Sequence, residues 1–206
     1  MKYVLLLLLL AFPLRAQQEQ WTIYTSTNSG LPSGQINALA LQENILWAGT
    51  PLGLARFDGN AWQVFNTVNS PMTGNYVKSL YAPSSSVVWI GTTAGAMYHA
   101  DDQWTNYSSA SSPLPSNDVR AIIGWNNAVW FATAGGLASF NGSTWTVYTT
   151  KSSALPSDNL LSLATGAGSL WIGTDGAGLV RFNGSAWTSY TTQNSPLPSN
   201  TVMSVT

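Results

Sequence analysis

The sequence contains no cysteine and little charge, and both shortages exclude whole classes of function. Without cysteine there is no disulfide framework, no thiolate nucleophile and no cysteine metal site. Lysine and arginine total 7 and aspartate and glutamate total 8 in 206 residues, which gives a formal net charge of −1. This balance offers no basic surface for nucleic acid and no polybasic patch for a membrane. The polarity comes instead from Ser, Thr, Asn and Gly, a composition common outside the cytoplasm.

Histidine and catalytic constellations are equally scarce. His99 is the single histidine, and one imidazole cannot build a histidine-rich metal site, so His99 is interpreted as a surface or packing residue. The neighbouring acids Asp101 and Asp102 are interpreted as surface residues of a turn rather than as metal ligands. No acid pair recurs with the spacing of a catalytic dyad, and no serine is flanked as a nucleophile elbow. We therefore expect a protein without catalytic activity, cofactor or bound metal.

The one long apolar run lies at the N-terminus. Met1 and Lys2 precede "YVLLLLLLAF" at residues 3–12, and small Ala16 follows just before a polar stretch. This layout predicts a secretory signal peptide over residues 1–17, because the run is short for a membrane span. Residues 18–206 would then be exported to the periplasm or beyond, with no membrane span of their own. An uncleaved N-terminal anchor is the alternative.

The exported part repeats itself with a period of about 42 residues. Five segments of the form Trp-x-x-aromatic recur at spacings of 41, 42, 41 and 42, beginning at Trp21, Trp62, Trp104, Trp145 and Trp187. A second tryptophan series recurs at spacings of 42, 41 and 41, at Trp47, Trp89, Trp130 and Trp171. Two series in step over four periods indicate a repeat architecture that covers nearly the whole mature chain.

Each repeat contains four short apolar runs, which we label strands a to d. In the first repeat they are "INALAL", "ILWAGT", "GLARFD" and "WQVF", bounded by Gly, Asn, Asp, Pro and Ser. Runs of four to six β-branched and aromatic residues between such turn residues predict strands, and no stretch shows a helical period. Four antiparallel strands per period of this length predict an all-β fold, a β-propeller of four complete blades and a partial fifth.

Small residues predict which strand is innermost. In strand a, apolar residues three positions apart face opposite sides of the sheet, as Val77 and Leu80 do, with a small residue such as Ser79 between them. Because only small side chains fit near the axis of a propeller, strand a is predicted to be the innermost strand. Small residues at one position of strand b predict a close approach there, at Gly49, Gly91, Ala132 and Gly173. The tryptophans are interpreted as core between the blades.

The ends of the repeat region predict further blades. The repeats open with a lone strand d at Trp21–Thr25 and stop after one more strand a at residues 200–206. A closing blade built from these two strands would lack strands b and c and would leave unpaired edges. We therefore expect the propeller of residues 18–206 to be incomplete at its C-terminal side and to continue in a longer chain of six to eight blades.

The fourth repeat, "LWIGTDGAGLVRFNGSAWTSYTTQNSPLPSN", resembles the two-component regulator propeller repeat. The resemblance spans residues 21–206 and is weakest in the second repeat, where "PMTGNY" and "GAMYHA" depart from the pattern. It implies the periplasmic sensor region of a bacterial hybrid two-component regulator, followed in such proteins by a membrane helix and a histidine kinase. It also implies related secreted propellers, and ligands derived from carbohydrates. No kinase box or receiver domain is present in this sequence.

The differences between repeats indicate where a ligand would bind. The long loops between strands d and a and the loops between strands b and c emerge on one face, and the repeats diverge in polarity where strand a begins. We expect a ligand site at this mouth of the central channel, formed by Tyr76, Lys78, Asp118, Arg120 and Asn159. Tyr76 could stack on a sugar face, and the other four could hydrogen-bond hydroxyl or carboxylate groups.

Two functional classes remain open from the sequence. The first is an exported sensor or binding module for a glycan or another small extracellular ligand, coupled to a downstream kinase region. The second is a secreted structural or adhesive propeller that presents a face to a protein partner. An enzyme such as a lyase is a third, disfavoured class, because the sequence shows no acid–base constellation.

Overall fold

The computed structural model describes residues 21–206, so the predicted signal peptide, residues 1–17, lies outside the described part. The described chain is all β and contains sixteen strands and no α-helix. Within residues 21–206, then, there is no helix with the length and apolarity that crossing a membrane requires. The prediction that residues 21–206 form β-strands without a long helix is confirmed.

The strands form four sheets that follow one another along the chain. The first blade contains β1 (Ala38–Gln42), β2 (Ile45–Thr50), β3 (Gly53–Phe57) and β4 (Trp62–Phe65). The second contains β5 (Val77–Ser84), β6 (Val87–Thr92), β7 (Ala96–Ala100) and β8 (Gln103–Tyr107). The third contains β9 (Val119–Trp125), β10 (Ala128–Thr133), β11 (Gly136–Phe140) and β12 (Trp145–Tyr148). The fourth contains β13 (Leu160–Gly166), β14 (Ser169–Thr174), β15 (Leu179–Phe182) and β16 (Trp187–Tyr190).

Every sheet is a simple antiparallel meander. Each strand pairs with the next one in sequence, from β1 to β4 and likewise in the other three blades. The first strand of each blade contacts the first strand of the next, so that β1, β5, β9 and β13 form the inner row. The prediction of four four-stranded blades with strand a innermost is therefore confirmed.

Small residues allow the close contact of neighbouring blades. A Cβ atom added to Gly49 would lie 2.5 Å from Cγ1 of Val77 in the next blade, and one added to Gly91 would lie 2.8 Å from Cγ1 of Val119. Such distances are shorter than two carbon atoms tolerate, so glycine is needed at both positions. In the third blade the equivalent residue is Ala132, which is fully buried. The predicted close approach at this position of strand b is therefore found.

Aromatic rings fill the spaces between blades, as predicted for the tryptophans, although Trp21 differs from the prediction and is 85% exposed because no described blade packs on it. Trp130 of the third blade stacks on Tyr148, with ring centroids 5.7 Å apart, and meets Phe182 of the fourth blade at 5.9 Å. Burial of such large apolar rings is the main favourable term in joining the sheets. The equivalent strand-b tryptophans of the first and second blades, Trp47 and Trp89, are also buried.

The two outermost segments differ from the prediction. Trp21–Thr25 and residues 200–206 are not β-strands in the structure, although both were predicted as strands. The reason is that a strand needs a hydrogen-bonded neighbour in its own sheet, and the described residues supply none for either segment. Both nevertheless occupy the expected places, because the Tyr24 ring lies 5.5 Å from that of Trp62 and the Val202 amide donates to the Thr174 carbonyl at 2.9 Å.

The loops between blades are themselves repeated structures. Four of the five connections that follow a d segment bury one apolar side chain, at Leu31, Met72, Leu114 and Leu155, and the equivalent Leu197 is only partly buried. A side-chain oxygen then closes the loop by accepting a hydrogen bond from a backbone amide eight residues earlier, as Asn117 accepts from Ser109 at 2.8 Å. Asn75, Asp158 and Asn200 make the same bond in three other loops, whereas the first loop has Gly34 at this position and lacks it. The face that carries these loops is therefore well ordered.

Candidate functional site

Irregularities in the inner strands position the predicted site residues. The pairing of β5 with β6 shifts register between Val77 and Ser79, so Lys78 is an extra residue opposite no partner. The pairing of β9 with β10 shifts in the same way around Arg120. A β-bulge of this kind redirects the extra side chain away from the regular alternation of the strand. Lys78 and Arg120 therefore reach sideways to the next blade.

The redirected cations meet the carboxylate of Asp118. The Lys78 ammonium donates a hydrogen bond to Oδ1 of Asp118, across the boundary between the second and third blades. On the other oxygen, Nε of Arg120 donates to Oδ2 of Asp118 at 2.9 Å. All three side chains are about one quarter exposed, at 25–28%. The structure thus brings three predicted site residues into one cluster that solvent can reach.

The same network extends into the fourth blade. The Arg120 guanidinium donates to Oδ1 of Asn159 and to the carbonyl oxygen of Leu160, the latter at 3.2 Å. The Asn159 amide group in turn donates to Oδ2 of Asp175 at 2.8 Å. Thr201 completes the chain by donating its hydroxyl hydrogen to Oδ1 of Asp175 at 3.3 Å. Four of the five predicted residues therefore belong to one continuous polar network at the start of the inner strands.

Asp175 and Thr201 are the members of this network that were not predicted from the sequence, and Asp175 is the charged one. It follows Thr174 in the connection between β14 and β15, which emerges on the same face as the start of strand a. A signal was present, because the other repeats carry the uncharged residues Pro51, Thr93 and Ala134 at this position. The acid is thus specific to the fourth blade.

Tyr76 stands apart from the network. Its side chain is 41% exposed and makes no hydrogen bond within the described chain. It lies two positions before Lys78 at the entry of β5. Tyr76 therefore provides a partly exposed aromatic ring just before β5, outside the hydrogen-bond network.

The electrostatics of the cluster are dominated by Asp118. Partial burial of this carboxyl group favours its protonated form, but the hydrogen bonds and positive charges of Lys78 and Arg120 outweigh burial and hold the pKa of Asp118 below its ordinary value. Asp118 is accordingly ionised at neutral pH. The two cations Lys78 and Arg120 and the two carboxylates Asp118 and Asp175 balance one another, so the network is neutral as a whole.

Part of the network also fastens blades together. Nδ2 of Asn37, the residue equivalent to Lys78 and Arg120 in the first blade, donates to the carbonyl oxygen of Val77 at 2.8 Å. Arg120 makes the corresponding bond to Leu160 of the fourth blade. These bonds satisfy backbone groups at the blade boundaries, which would otherwise be unpaired near the axis. The site residues therefore have a structural role in addition to any binding role.

Buried threonines brace the neighbouring loops, and the sequence analysis did not single them out. The last residue of strand b is a fully buried threonine in every blade, at Thr50, Thr92, Thr133 and Thr174. Its hydroxyl donates to the carbonyl of the glycine that begins the next strand or precedes it, at 2.7 Å for Thr133 and Gly136. The recurring "GT" and "AT" pairs of the repeats were the available signal. The bonds fix the b–c turns that form the rim of the site.

The arrangement presents hydrogen-bonding groups that polar ligand groups could reach. A ligand hydroxyl or carboxylate can replace individual hydrogen bonds of Lys78 or Arg120, and the exposed ring of Tyr76 can contact an apolar face. Within residues 21–206 there is no group of three or more acidic, histidine or cysteine side chains placed to hold a metal ion. The site is thus a set of hydrogen-bonding groups beside b–c turns that buried threonines hydrogen-bond.

Comparison with solved structures identifies the architecture. The extracellular domain of a protein assigned as a hybrid two-component system of B. thetaiotaomicron matches with a TM-score of 0.65 and 23% identity, over 76% of this chain and 24% of that one. The chain has the β-propeller fold. A second extracellular domain from B. thetaiotaomicron, assigned as a one-component system, matches with a TM-score of 0.62 and 19% identity, over 75% of this chain and 21% of that one.

The fold is shared with enzymes as well. Virginiamycin B lyase from Staphylococcus aureus matches with a TM-score of 0.62 and 14% identity, over 79% of this propeller chain and 56% of the lyase. Identities at this level establish a common fold and no more. The chain spans less than a quarter of the length of the two B. thetaiotaomicron domains. No protein-family model and no curated protein sequence matches the chain.

Proposed function

We propose that this chain contributes blades to an exported sensory propeller of the two-component regulator type, which binds a small extracellular ligand at the channel mouth. The observation that carries the proposal is the network of Lys78, Asp118, Arg120 and Asn159, because its hydrogen bonds join partly exposed polar and charged groups of three successive blades. The structural likeness to extracellular domains of two-component systems also supports a sensory role. The resemblance of the repeats to the two-component regulator propeller supports it as well. Binding rather than catalysis is the proposed role.

The ligand is a glycan or another small molecule rich in hydroxyl or carboxylate groups. Hydroxyl and carboxylate oxygens accept hydrogen bonds from the Lys78 ammonium and the Arg120 guanidinium, and hydroxyl groups also donate to the oxygens of Asp118. Tyr76 is the natural stacking surface, because its ring is exposed and has no competing partner. The proposed partner of the whole protein is a downstream kinase region that responds to the bound state.

The proposed export rests on the N-terminal sequence, residues 1–17. Expression with the native N-terminus in a bacterial host, followed by fractionation and N-terminal sequencing, tests it directly. The expected product is found outside the cytoplasm and begins near Ala16 or Gln17. An uncut chain that stays with the cytoplasmic membrane would support the anchor instead.

A glycan screen against the complete protein tests the binding site. A ligand found in the screen is expected to bind at least tenfold more weakly to Tyr76→Ala, Lys78→Ala and Arg120→Ala, since each removes a direct contact. Thr146→Ala, on the exposed side of β12, is the control and is expected to bind as the parent does. Tyr76→Ala is the most informative variant, because it changes no hydrogen bond of the blade boundaries.

The alternative function is a secreted structural or adhesive propeller with a face that binds protein. It is favoured by the internal hydrogen bonding of the network, which already satisfies Asp118 and Arg120 without any ligand. If all three variants bind the ligand with an affinity within a factor of two of the parent's, the ligand site lies elsewhere on the protein. Failure of the screen together with capture of a specific protein partner would favour the adhesive role.

A further inference from the structure

A second cleft lies between the first two blades, at the opposite end of the strands from the channel mouth. Its volume is about 520 Å³. Glu43, from the turn between β1 and β2, and the adjacent Asp101 and Asp102, from the turn between β7 and β8, line it together with Trp47 and His99. The cleft is thus separate from the proposed ligand site and does not depend on it.

Unpaired polar atoms are concentrated at this cleft. Nε1 of Trp47 and both ring nitrogens of His99 are buried and have no hydrogen-bond partner. In the third blade, by contrast, Nε1 of the equivalent Trp130 donates to the carbonyl oxygen of Trp125 at 2.9 Å. Buried polar groups in folded proteins are nearly always paired, so these three unpaired atoms, which belong to two residues that line the cleft, indicate unused hydrogen-bonding capacity beside it.

His99 departs from the pattern of the repeats. Phenylalanine occupies the equivalent position of strand c in the three other blades, at Phe57, Phe140 and Phe182. The His99 side chain is as buried as a core residue, at 7% exposed, and packs on Trp47 with ring centroids 5.9 Å apart. Burial lowers its pKa below the ordinary value of 6.5, so the ring is neutral at pH 7. A neutral imidazole offers one donor and one acceptor where phenylalanine offers neither.

The charges around the cleft favour a cation. Glu43, Asp101 and Asp102 supply three carboxylates against the single guanidinium of Arg56. Arg56 lies over the Trp47 ring, 5.9 Å from its centroid, which shows that a cation fits against this wall. The corresponding cleft between the second and third blades, of about 720 Å³, has no charged side chain in its lining. The acidic character therefore distinguishes the first boundary from the second.

We propose that this cleft binds a small amino alcohol, a ligand with an ammonium group close to a hydroxyl oxygen. The carboxylates of Glu43, Asp101 and Asp102 attract the ammonium group, and the acceptor nitrogen of His99 takes one of its hydrogens. The indole N–H of Trp47 donates to the hydroxyl oxygen. An organic cation fits better than a metal ion, because residues 21–206 hold no cluster of three metal-ligating side chains. An amino acid fits less well, because its carboxylate would face three others.

Titration of the full-length chain with 3-aminopropanol, followed by NMR, tests the proposal. The Trp47 indole N–H resonance is expected to shift, with a dissociation constant on the order of 1–10 mM for so small a probe. The neutral 1-propanol and the zwitterionic β-alanine are expected to bind at least tenfold more weakly. Equal shifts with 1-propanol would show that the cleft recognises only apolar surface and would overturn the proposal.

Variants distinguish the roles of the imidazole and the acids. The single variant His99→Phe carries the phenylalanine found at this position in the other blades. The double variant Asp101→Asn/Asp102→Asn removes two negative charges. Both proteins are expected to bind 3-aminopropanol at least tenfold more weakly than the parent. Asp158→Asn is the matched control, because it removes a carboxylate from a loop on the other face where Asn75 and Asn117 stand in other repeats. Binding by His99→Phe that equals the parent's would overturn the proposal.

A pH series on the unmodified chain tests the same nitrogen without any substitution. Protonation of His99 removes its acceptor and adds a positive charge, so the affinity for 3-aminopropanol is expected to fall as the pH decreases below about 6.5. The groups that face His99 and share this field are Asp101, Asp102 and Arg56. Circular dichroism at each pH confirms that the chain is folded. An affinity that is constant from pH 8 to the lowest pH at which the chain stays folded would contradict the role of His99.

Discussion

The ring of His99 lies against the ring of Trp104, with centroids 4.4 Å apart. Phe182 and Trp187 are the equivalent pair in the fourth blade, at 4.2 Å, but their rings are stacked at 23° whereas those of His99 and Trp104 are tilted at 51°. His99 therefore occupies an aromatic position in the core between two blades, and it brings two ring nitrogens into a place where neither has a partner. Packing at this position is preserved, but hydrogen bonding is not satisfied.

Replacement of His99 by phenylalanine is expected to stabilise the protein. The substitution removes two unpaired buried nitrogens and keeps the ring packing, so the free energy of unfolding at pH 7 should rise by about 1–2 kcal/mol. The parent should also lose stability as the pH falls below about 6.5, because the folded-state pKa of His99 is lowered and the unfolded chain then binds more protons. Urea denaturation at pH 7.5 and 5.5 measures both effects. A variant with the same pH dependence as the parent would show that His99 is not the group responsible.

Replacement of Asp118 by asparagine is expected to weaken the joint between the second and third blades. The carboxylate holds both Lys78 and Arg120, and its partial exposure limits the loss to about 1 kcal/mol at pH 7. Because the pKa of Asp118 is lowered in the folded state, its contribution is present above about pH 4 and is lost as the pH falls further. Denaturation of parent and variant from pH 7 to pH 2 should therefore show a difference that shrinks with acid. Asp158→Asn, which keeps its loop bond, is expected to change little.

Replacement of Thr133 by valine tests the hydrogen bonds that the buried threonine hydroxyl makes in the b–c turn. The hydroxyl donates to the Gly136 carbonyl at 2.7 Å and accepts from the Gly135 amide at 3.1 Å, and valine can do neither. Two backbone groups then lose their partner, so the free energy of unfolding should fall by about 2 kcal/mol. Thr146→Val, at an exposed position of β12, is the control for the change of side chain itself. Equal stabilities of the two variants in thermal denaturation would contradict a stabilising role of the Thr133 hydroxyl bonds.

Replacement of Gly91 by alanine tests the close approach of the second and third blades. The new Cβ atom would lie 2.2 Å from Oγ of Ser79 and 2.8 Å from Cγ1 of Val119, so one blade has to move. The expected loss is about 1–3 kcal/mol, measured by urea denaturation. Gly34→Ala is the matched control, because its Cβ atom would meet nothing within 4 Å. If the Gly91→Ala protein is as stable as the Gly34→Ala protein, the two blades can shift apart without a measurable loss in the free energy of unfolding, and the close approach is not a constraint.

The repeated features of the fold could be read from the sequence because they depend on local patterns. Turn residues around short apolar runs predicted each strand, and two tryptophan series gave the period. The small residues at Ser79 and Gly91 predicted the crowded inner strands. Every blade packs against its neighbours in the same way, so the same features recur in all four repeats. The recurrence makes the pattern recognisable in the sequence.

The segments at either end show where this reasoning fails. Trp21–Thr25 has the sequence of a strand, but strand structure requires a neighbour to pair with, and none is described beside it. Leu39 and Leu41 follow the apolar pattern of the inner strand and are nevertheless 62% and 69% exposed, because no described blade packs against that side of β1. The sequence pattern predicts which residues are suited to burial. Whether they are buried depends on whether a neighbouring blade packs against them.

The sequence by itself determined the period, the four strands of each blade, the inner position of strand a and the set of polar residues at its start. Only the tertiary structure decided which of those side chains meet. Lys78 and Asp118 are 40 residues apart and belong to different sheets. Their contact depends on the bulge that turns Lys78 sideways and on the rotation between adjacent blades. Neither is encoded in a local pattern, because both follow from how whole sheets pack around the axis.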